Sequence, residues 1–252
     1  MIVPPMNSPL LSVDGVTVDF DGFKALDTFS LVLNRGETRV VIGPNGAGKS
    51  TLCDTIIGRV RASEGRILFE DADITHLPEH KIAQRGVCRK FQAPGVLPTL
   101  TVSQNLELAA QKDRRWWRAL RQSIGEEVVS VVDETLDRVD LTARRAEPAG
   151  LLSHGEKQWL EIGMAVATGA QLLLLDEPTA GMGPEETRRT AELIRDLGDE
   201  RTILVIDHDM SFVEQLQAGV TVMHQGKFLF QGDIEEVRKD PEVAAVYLGH
   251  TA

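Results

Sequence analysis

Nine residues, Gly43-Pro-Asn-Gly-Ala-Gly-Lys-Ser-Thr51, restrict this chain more than any other stretch. They satisfy G-x-x-x-x-G-K-[ST], the P-loop pattern whose backbone cradles nucleotide phosphates. Gly43, Gly46 and Gly48 carry no Cβ, so the backbone can turn tightly and come close to a phosphate. Successive backbone N–H groups of the loop Gly43-Pro44-Asn45-Gly46-Ala47-Gly48-Lys49-Ser50-Thr51, all but that of Pro44, which has none, then face inward as an anion nest. Lys49 can reach the β- and γ-phosphates, and the Ser50 hydroxyl is placed for Mg²⁺. The flanks agree with this reading. Residues 38–42 read as a buried strand and residues 50–57 as a helix whose positive end would face the anion.

Two later stretches belong to the same chemistry. Leu172-Leu-Leu-Leu-Asp-Glu177 has four leucines in a run suited to a strand buried on both faces. Its two acids fall at the C-terminal end, where open α/β sheets bind ligands. Asp176 can hold Mg²⁺ through water, and Glu177 can act as general base on an attacking water. Thr202-Ile-Leu-Val-Ile206 is another buried strand and leads into Asp207-His208-Asp209. His208 is therefore placed to touch a phosphate at the same sheet edge as Asp176.

Three further features are ambiguous from the residues alone. Phe20 ends a strand over residues 11–20 and could stack on an adenine, or simply pack as a strand aromatic. Gln92, at the end of a strand over 87–91, can reach a metal-bound water or cap a turn. Ser153 and Glu156 form a capping box at the start of a helix running to about Thr168. That helix start is a candidate anion site, although capping alone explains it.

Around these motifs the early chain reads as β-rich. Strands are expected over 11–20, 28–33 and 65–69, with an Asp21-Gly22 turn. Residues 93–150 read as mostly helical, with helices over 101–111 and 126–139. Between them lies the basic segment Lys112-Asp-Arg-Arg-Trp-Trp-Arg118, which could contact a partner or membrane surface, or be a solvated helix. Helices are also expected over 184–197, 233–238 and 241–248, with a hairpin around Gln225-Gly226.

The net charge of −11 argues against a general nucleic-acid-binding surface. The N-terminal residues lack a basic region followed by an apolar run, and no stretch of 18 apolar residues occurs. Cys53 and Cys88 cannot make a disulfide framework and read as small core residues. A soluble, reduced, cytosolic protein is expected.

Taken in order and spacing, the motifs resemble the ATP-binding subunits of ABC transporters over about residues 11–249. Residues 43–50 match the Walker A motif, Gln92 the Q-loop, and Leu152-Ser-His-Gly-Glu156 the signature motif. Residues 172–176 match Walker B, Glu177 the catalytic glutamate, His208 the switch histidine and Phe20 the adenine-stacking aromatic. The resemblance implies one ABC ATPase domain over residues 10–250, of the α/β P-loop NTPase class. It implies a mainly parallel core sheet, an N-terminal antiparallel β subdomain, and a helical subdomain inserted at about 93–165.

Two departures from the family pattern stand out. His154 and Glu156 replace a glycine and the glutamine of Leu-Ser-Gly-Gly-Gln, while Ser153 and Gly155 remain. The D-loop, usually Ser-Ala-Leu-Asp, reads Ala180-Gly-Met-Gly183 and lacks the aspartate. The run from Leu152 to Ile162, the segment Glu177-Pro-Thr-Ala-Gly-Met182, Arg89-Lys-Phe-Gln92 and the ending Val-Tyr-Leu-Gly249 resemble the urea-type branch of the branched-chain amino-acid importers.

The resemblance further implies ATP and Mg²⁺ as cofactors, with Mg²⁺ held among Ser50, Gln92 and Asp176. Glu177 would polarise water and His208 would hold the γ-phosphate. Ser153 and Gly155 would serve the ATP of a second ATPase subunit, either a related chain or a second copy. Two separate transmembrane permease subunits are implied, and indirectly a periplasmic or extracellular substrate-binding protein, with no nucleic-acid partner. This would place the chain at the cytoplasmic face of a membrane. The urea-type resemblance implies an ATP-hydrolysing subunit of a urea importer; rival readings are another cargo (branched-chain amino acids, or lipopolysaccharide export), a soluble ABC ATPase acting on DNA or ribosomes, and a P-loop kinase or GTPase.

Overall fold

The computed structural model describes residues 9–89, 95–111 and 125–248. Among the described residues, ten strands form two sheets. Strands β1 (Pro9–Phe20) and β2 (Phe23–Asn34) make a hairpin. Its two-residue turn, Asp21-Gly22, has φ of 52° and 96°. Two positive φ values match the right-handed twist of the strands, which is why Asp-Gly marks such turns. With β4 (Glu64–Phe69) and β5 (Ala72–Asp73) the hairpin gives an antiparallel sheet in the order β2-β1-β4-β5.

The second sheet contains β3 (Thr38–Ile42), β6 (Val87–Arg89), β7 (Leu172–Asp176), β8 (Thr202–Ile206), β9 (Gly219–His224) and β10 (Lys227–Gly232). Its order is β10-β9-β3-β8-β7-β6, parallel except for β10 at one edge. All five residues of β7 and of β8 are buried, so both faces of these strands need apolar cover. The two-residue pleat divides that cover. Leu172, Leu174, Leu204, Ile206 and Val41 face a core shared with the antiparallel sheet and with Leu52, Cys53 and Ile56 of helix α1 (Lys49–Ile56). Leu173, Leu175, Ile203, Val205, Val40 and Ile42 face the opposite core. There they meet helix α5 (His154–Ala167), helix α6 (Pro184–Gly198) and helix α7 (Met210–Leu216). Each fully buried leucine is worth about 2 kcal/mol of transfer free energy, which makes this double-faced strand pair the anchor of the fold.

Among the described residues, the remaining α-helices are α2 (Glu79–Gln84), α3 (Val102–Ala110), α4 (Glu126–Arg138), α8 (Ile234–Lys239) and α9 (Pro241–Leu248). A third apolar cluster joins Val102 and Leu106 of α3, Val132 and Leu136 of α4, and Trp159 and Leu160 of α5. Helix α5 thus sits in two cores. Its first half belongs to the helical cluster, and its second half (Ile162, Ala165, Val166) packs on the sheet. Buried Asn105 fastens the preceding loop to α3. Its Nδ2 donates to Leu97 O at 3.1 Å and its Oδ1 accepts from Leu97 N at 2.7 Å.

The structure differs from the sequence expectations mainly at ends. Strand β2 starts at Phe23 rather than at 28, because Thr28 (φ 55°) interrupts the alternation without ending the pairing with β1. Strand β5 is an added element, reached through Glu70 and Asp71, both at positive φ. Cys53 is fully buried, whereas Cys88 is only partly so. Gln92, the tryptophan segment 112–118 and Gly249 lie outside the described residues.

Candidate active site

The parallel register sets the site. Val41 of β3 and Asp176 of β7 both pair with Ile206 of β8. The residues that follow these three positions therefore leave the sheet along one C-terminal edge: the 43–48 loop, Glu177, and Asp207-His208.

The loop is shaped by contacts that only glycine permits at two points. A Cβ on Gly43 would lie 2.3 Å from Met223 O, and one on Gly48 (φ 101°) would lie 2.4 Å from Ala25 O. Ala47 N donates to Pro44 O at 3.1 Å, closing the turn around Asn45 and Gly46. Gly226 N donates to Ala47 O at 3.0 Å, so the β9–β10 turn braces the loop from outside. Helix α1 begins at once, with Ser50 exposed and Thr51 half-buried.

Lys49 is buried, and its Nζ donates to Gly43 O at 2.7 Å and Pro44 O at 3.1 Å. The ammonium thus lies across the loop that would hold phosphates. Burial pushes its pKa below the ordinary lysine value, while Glu177, Asp176 and Asp207 pull it back up. A phosphate chain supplies the negative charge that this buried cation lacks in the loop carbonyls.

Asp176 is buried, and its Oδ2 accepts from Arg89 Nη2 at 2.8 Å. Arg89 also donates through Nη1 to Asp54 Oδ1 at 2.5 Å. Arg89 ends β6, so one guanidinium ties that strand to β7 and to helix α1. Glu177 turns away from the sheet at φ 45°, a left-handed conformation held by its N–H to Ile206 O at 2.8 Å. Non-glycine residues adopt it at a cost of order 1 kcal/mol, and such strain gathers at functional sites. The turn brings Glu177 Oε1 to 3.4 Å from His208 Nδ1. Both side chains are roughly half exposed, so both can reach a group bound at this edge.

Asp207 supports this corner from beneath. Its Oδ1 accepts from His208 N at 2.7 Å and Asp209 N at 3.0 Å, and its Oδ2 accepts from Thr179 Oγ1 at 3.0 Å. Burial raises its pKa above the ordinary aspartate value, although all three hydrogen bonds oppose that shift.

Phe20 is 50% exposed beside the hairpin turn, directly paired with Phe23, itself 66% exposed. Two exposed rings on one turn form an apolar rim suited to a flat base. Phe23 was not singled out by sequence reasoning; its cross-strand position opposite Phe20 is the signal that could have found it.

Ser153 and Gly155 join none of these contacts among the described residues. Ser153 caps α5, its Oγ accepting from Glu156 N at 3.2 Å while its N–H donates to Glu156 Oε2 at 2.8 Å. Gly155 lies against Glu186, where a Cβ would approach Oε1 to 2.4 Å. The structure therefore assembles Lys49, Ser50, Asp176, Glu177 and His208 on one edge, and holds Ser153 and Gly155 on a separate helix start. Arg89 and Asp207 are the supporting residues that the motif reading did not assign.

The donor set fits a hard cation beside phosphates. A serine hydroxyl at a helix start and one buried carboxylate are oxygen donors, and Mg²⁺ takes few protein ligands because it keeps water and phosphate oxygens.

Residues 26–180 match the family described as ABC transporter. The chain is 34% identical over 254 residues to the high-affinity branched-chain amino acid transport ATP-binding protein BraF of Pseudomonas aeruginosa, covering 97% of this chain and 99% of that protein. It is 34% identical to the Escherichia coli K12 protein LivG of the same description, again covering 97% and 99%. Among solved structures it is similar to a nucleotide-free ATP-binding cassette from an ABC transporter, at TM-score 0.83 and 31% identity, covering 95% of this chain and 99% of that one. The ADP conformation of the cassette MJ1267 gives TM-score 0.82 and 31% identity over 96% and 99%.

Proposed function

The chain belongs to the ATP-binding subunits of ABC transporters, in the branched-chain amino-acid import family, and from that premise we propose that it is one half of the ATP-driven motor of a small-solute importer. It is an ATPase that uses ATP with Mg²⁺. The observation that carries the reading is the common sheet edge on which Lys49, Asp176, Glu177 and His208 converge above the 43–48 loop.

In this reading the loop N–H groups and Lys49 bind the phosphates, and the exposed Phe20 with its neighbour Phe23 flanks the base. Ser50 and Gln92, with Asp176 through water, would hold Mg²⁺, which would supply positive charge beside the transferring phosphoryl group. Glu177 takes the proton of the attacking water, and His208 steadies both the Glu177 carboxylate and the γ-phosphate. Positioning and charge stabilisation carry such a reaction, with little covalent work for the protein. Ser153 and Gly155 lie outside this cluster and would complete the site of a second ATPase subunit, a related chain or a second copy. The helices over about 93–165 then act as the subdomain that carries Ser153.

No helix among the described residues is long and apolar enough to cross a membrane, so in this reading separate permease subunits form the path. Their landing place is the adjoining pair of segments that expose Leu97 (41%) and Leu151 (74%), the latter at the end of a short 3-10 turn, joined by Gly150 N to Pro98 O at 3.0 Å. Exposed leucines on two hydrogen-bonded segments fit a contact surface. The chain would then sit at the cytoplasmic face of the membrane, with a substrate-binding protein on the other side.

Branched-chain amino acids are the first cargo reading, supported by the similarity to BraF and LivG over nearly the whole chain. Urea is the second, supported by the run Leu152 to Ile162 and by Glu177-Pro-Thr-Ala-Gly-Met182. Uptake of labelled leucine and of labelled urea by cells carrying Lys49→Ala decides between them. Loss of leucine uptake alone supports the first reading and loss of urea uptake alone the second. Retention of both overturns both cargo readings, leaves the ATPase assignment standing and reopens cargo and direction.

A further inference from the structure

The two places where the sequence leaves the family pattern are joined in the structure. His154, in the segment that carries Ser153, places Nε2 2.9 Å from the carbonyl oxygen of Ala180 in the 180–183 loop. A carbonyl can only accept, so Nε2 carries the proton in this contact. The imidazole also covers Gly181, where a Cβ would lie 3.3 Å from the same nitrogen. Glu186 adds a second tie. Its Oε2 accepts from Gly183 N at 3.0 Å while its other oxygen lies against Gly155. Further along, Trp159 Nε1 donates to Thr190 Oγ1 at 2.9 Å, and that hydroxyl lies 3.3 Å from Met182 Sδ.

The same loop is held from its other side by the histidine corner. Thr179, next to Ala180, donates to buried Asp207, which in turn fixes the backbone of His208. Ala180 N also donates to Glu177 O at 3.1 Å, so the loop starts as a closed turn on the general base. Every link from Ser153 to Glu177 and His208 is thus a direct hydrogen bond or one peptide unit.

We infer that the 179–183 loop is a junction within its own chain, and that His154 and Asp207 are the positioning residues that tie it to the Ser153 segment and to the catalytic corner. In the family pattern the loop ends in an aspartate; here it ends in Gly183, and its contacts run inward to His154, Glu186 and Asp207. When Ser153 engages a partner's nucleotide, the pull reaches Ala180 through His154 and thereby the turn that carries Glu177. His154 touches no substrate of its own chain; it sets where the catalytic base stands.

This inference rests on the reading of Glu177 as the catalytic base, so Glu177→Gln is the control. The full-length chain, purified with the subunits it assembles with, is assayed for ATP turnover as parent, Glu177→Gln, His154→Gly, His154→Gln, Asp207→Asn and the double variant His154→Gly with Asp207→Asn. His154→Gly is expected to lower kcat about fivefold, what one ordinary hydrogen bond is worth, with KM for ATP unchanged. His154→Gln keeps an N–H donor at similar reach and restores kcat to within about twofold of the parent. The double variant falls short of the product of the single effects, because both residues act through one loop. Parental kcat in His154→Gly, failure of His154→Gln to restore it, or a double variant equal to that product overturns the junction. If Glu177→Gln itself turns over normally, the catalytic reading fails instead.

Discussion

At the scale of single residues, buried charge decides most. Arg89 and Asp176 are respectively 5% and 3% exposed at their side chains, and Arg89 also serves Asp54. Removing one partner of a buried pair leaves an uncompensated charge, which costs about 3–5 kcal/mol. Arg89→Met is therefore expected to lower the unfolding free energy by that amount in urea denaturation; a change under about 1 kcal/mol would contradict the pairing. Arg89→Lys is not a conservative exchange, because one ammonium cannot reproduce a two-pronged bridge to two carboxylates. Asp207 presents the opposite case. Burial raises its folded pKa above the unfolded value, so its contribution to stability is full below the unfolded pKa and is lost as pH rises through the folded one. Asp207→Asn removes that dependence. Its stability relative to the parent is expected to improve from pH 4 to pH 7 in paired urea titrations; a relative loss over that interval would mean that the ionised carboxylate is favoured in the fold.

At the scale of elements, much was legible in the sequence where burial is two-sided. The leucine run of β7 and the apolar run of β8 could only be inner strands, and the glycine loop between β3 and α1 followed from its own pattern. Strand β2 was read short, because Thr28 at φ 55° and Gly15 at φ 57° lie where the β1–β2 register shifts and the alternation breaks. The two-residue β5 has no pattern to read. The supporting contacts were invisible for another reason. Arg89 and Asp176 are 87 positions apart, and only the neighbouring places of β6 and β7 in the sheet bring them together. Sheet order is a property of the packed chain and not of any segment. Helix α5 joins the helical cluster to the sheet, and its docking on α6 passes through Trp159, whose ring also lies 4.9 Å beneath the Arg189 guanidinium. Trp159→Phe keeps the apolar bulk and loses the hydrogen bond, worth about 1 kcal/mol. Amides in the first half of α5 are expected to exchange hydrogen several-fold faster, with β7 and β8 unchanged; uniform exchange rates throughout would show that α5 does not depend on this bond.

At the scale of the whole molecule, the fold divides labour between one complete edge and one exposed helix start. In the proposed reading Lys49, Ser50, Asp176, Glu177 and His208 bind and cleave a nucleotide's terminal phosphate, whereas Ser153 and Gly155 serve a nucleotide held by a second subunit. A chain built this way works in pairs, and its output is the opening and closing of that pair against membrane subunits. An order of magnitude in differential affinity for the closed pair corresponds to about 1.4 kcal/mol, so a few well-placed phosphate contacts suffice to drive it. The account depends on Glu177 as the base that separates binding from cleavage. The measurement that tests it most directly is ATP turnover by Glu177→Gln, with ATP affinity determined on the same preparation. Affinity within about twofold of the parent and turnover reduced by about 10²–10⁴ is the predicted result, in line with the loss of a general base. Turnover at the parental rate with unchanged affinity would contradict it and move the catalytic role away from this sheet edge.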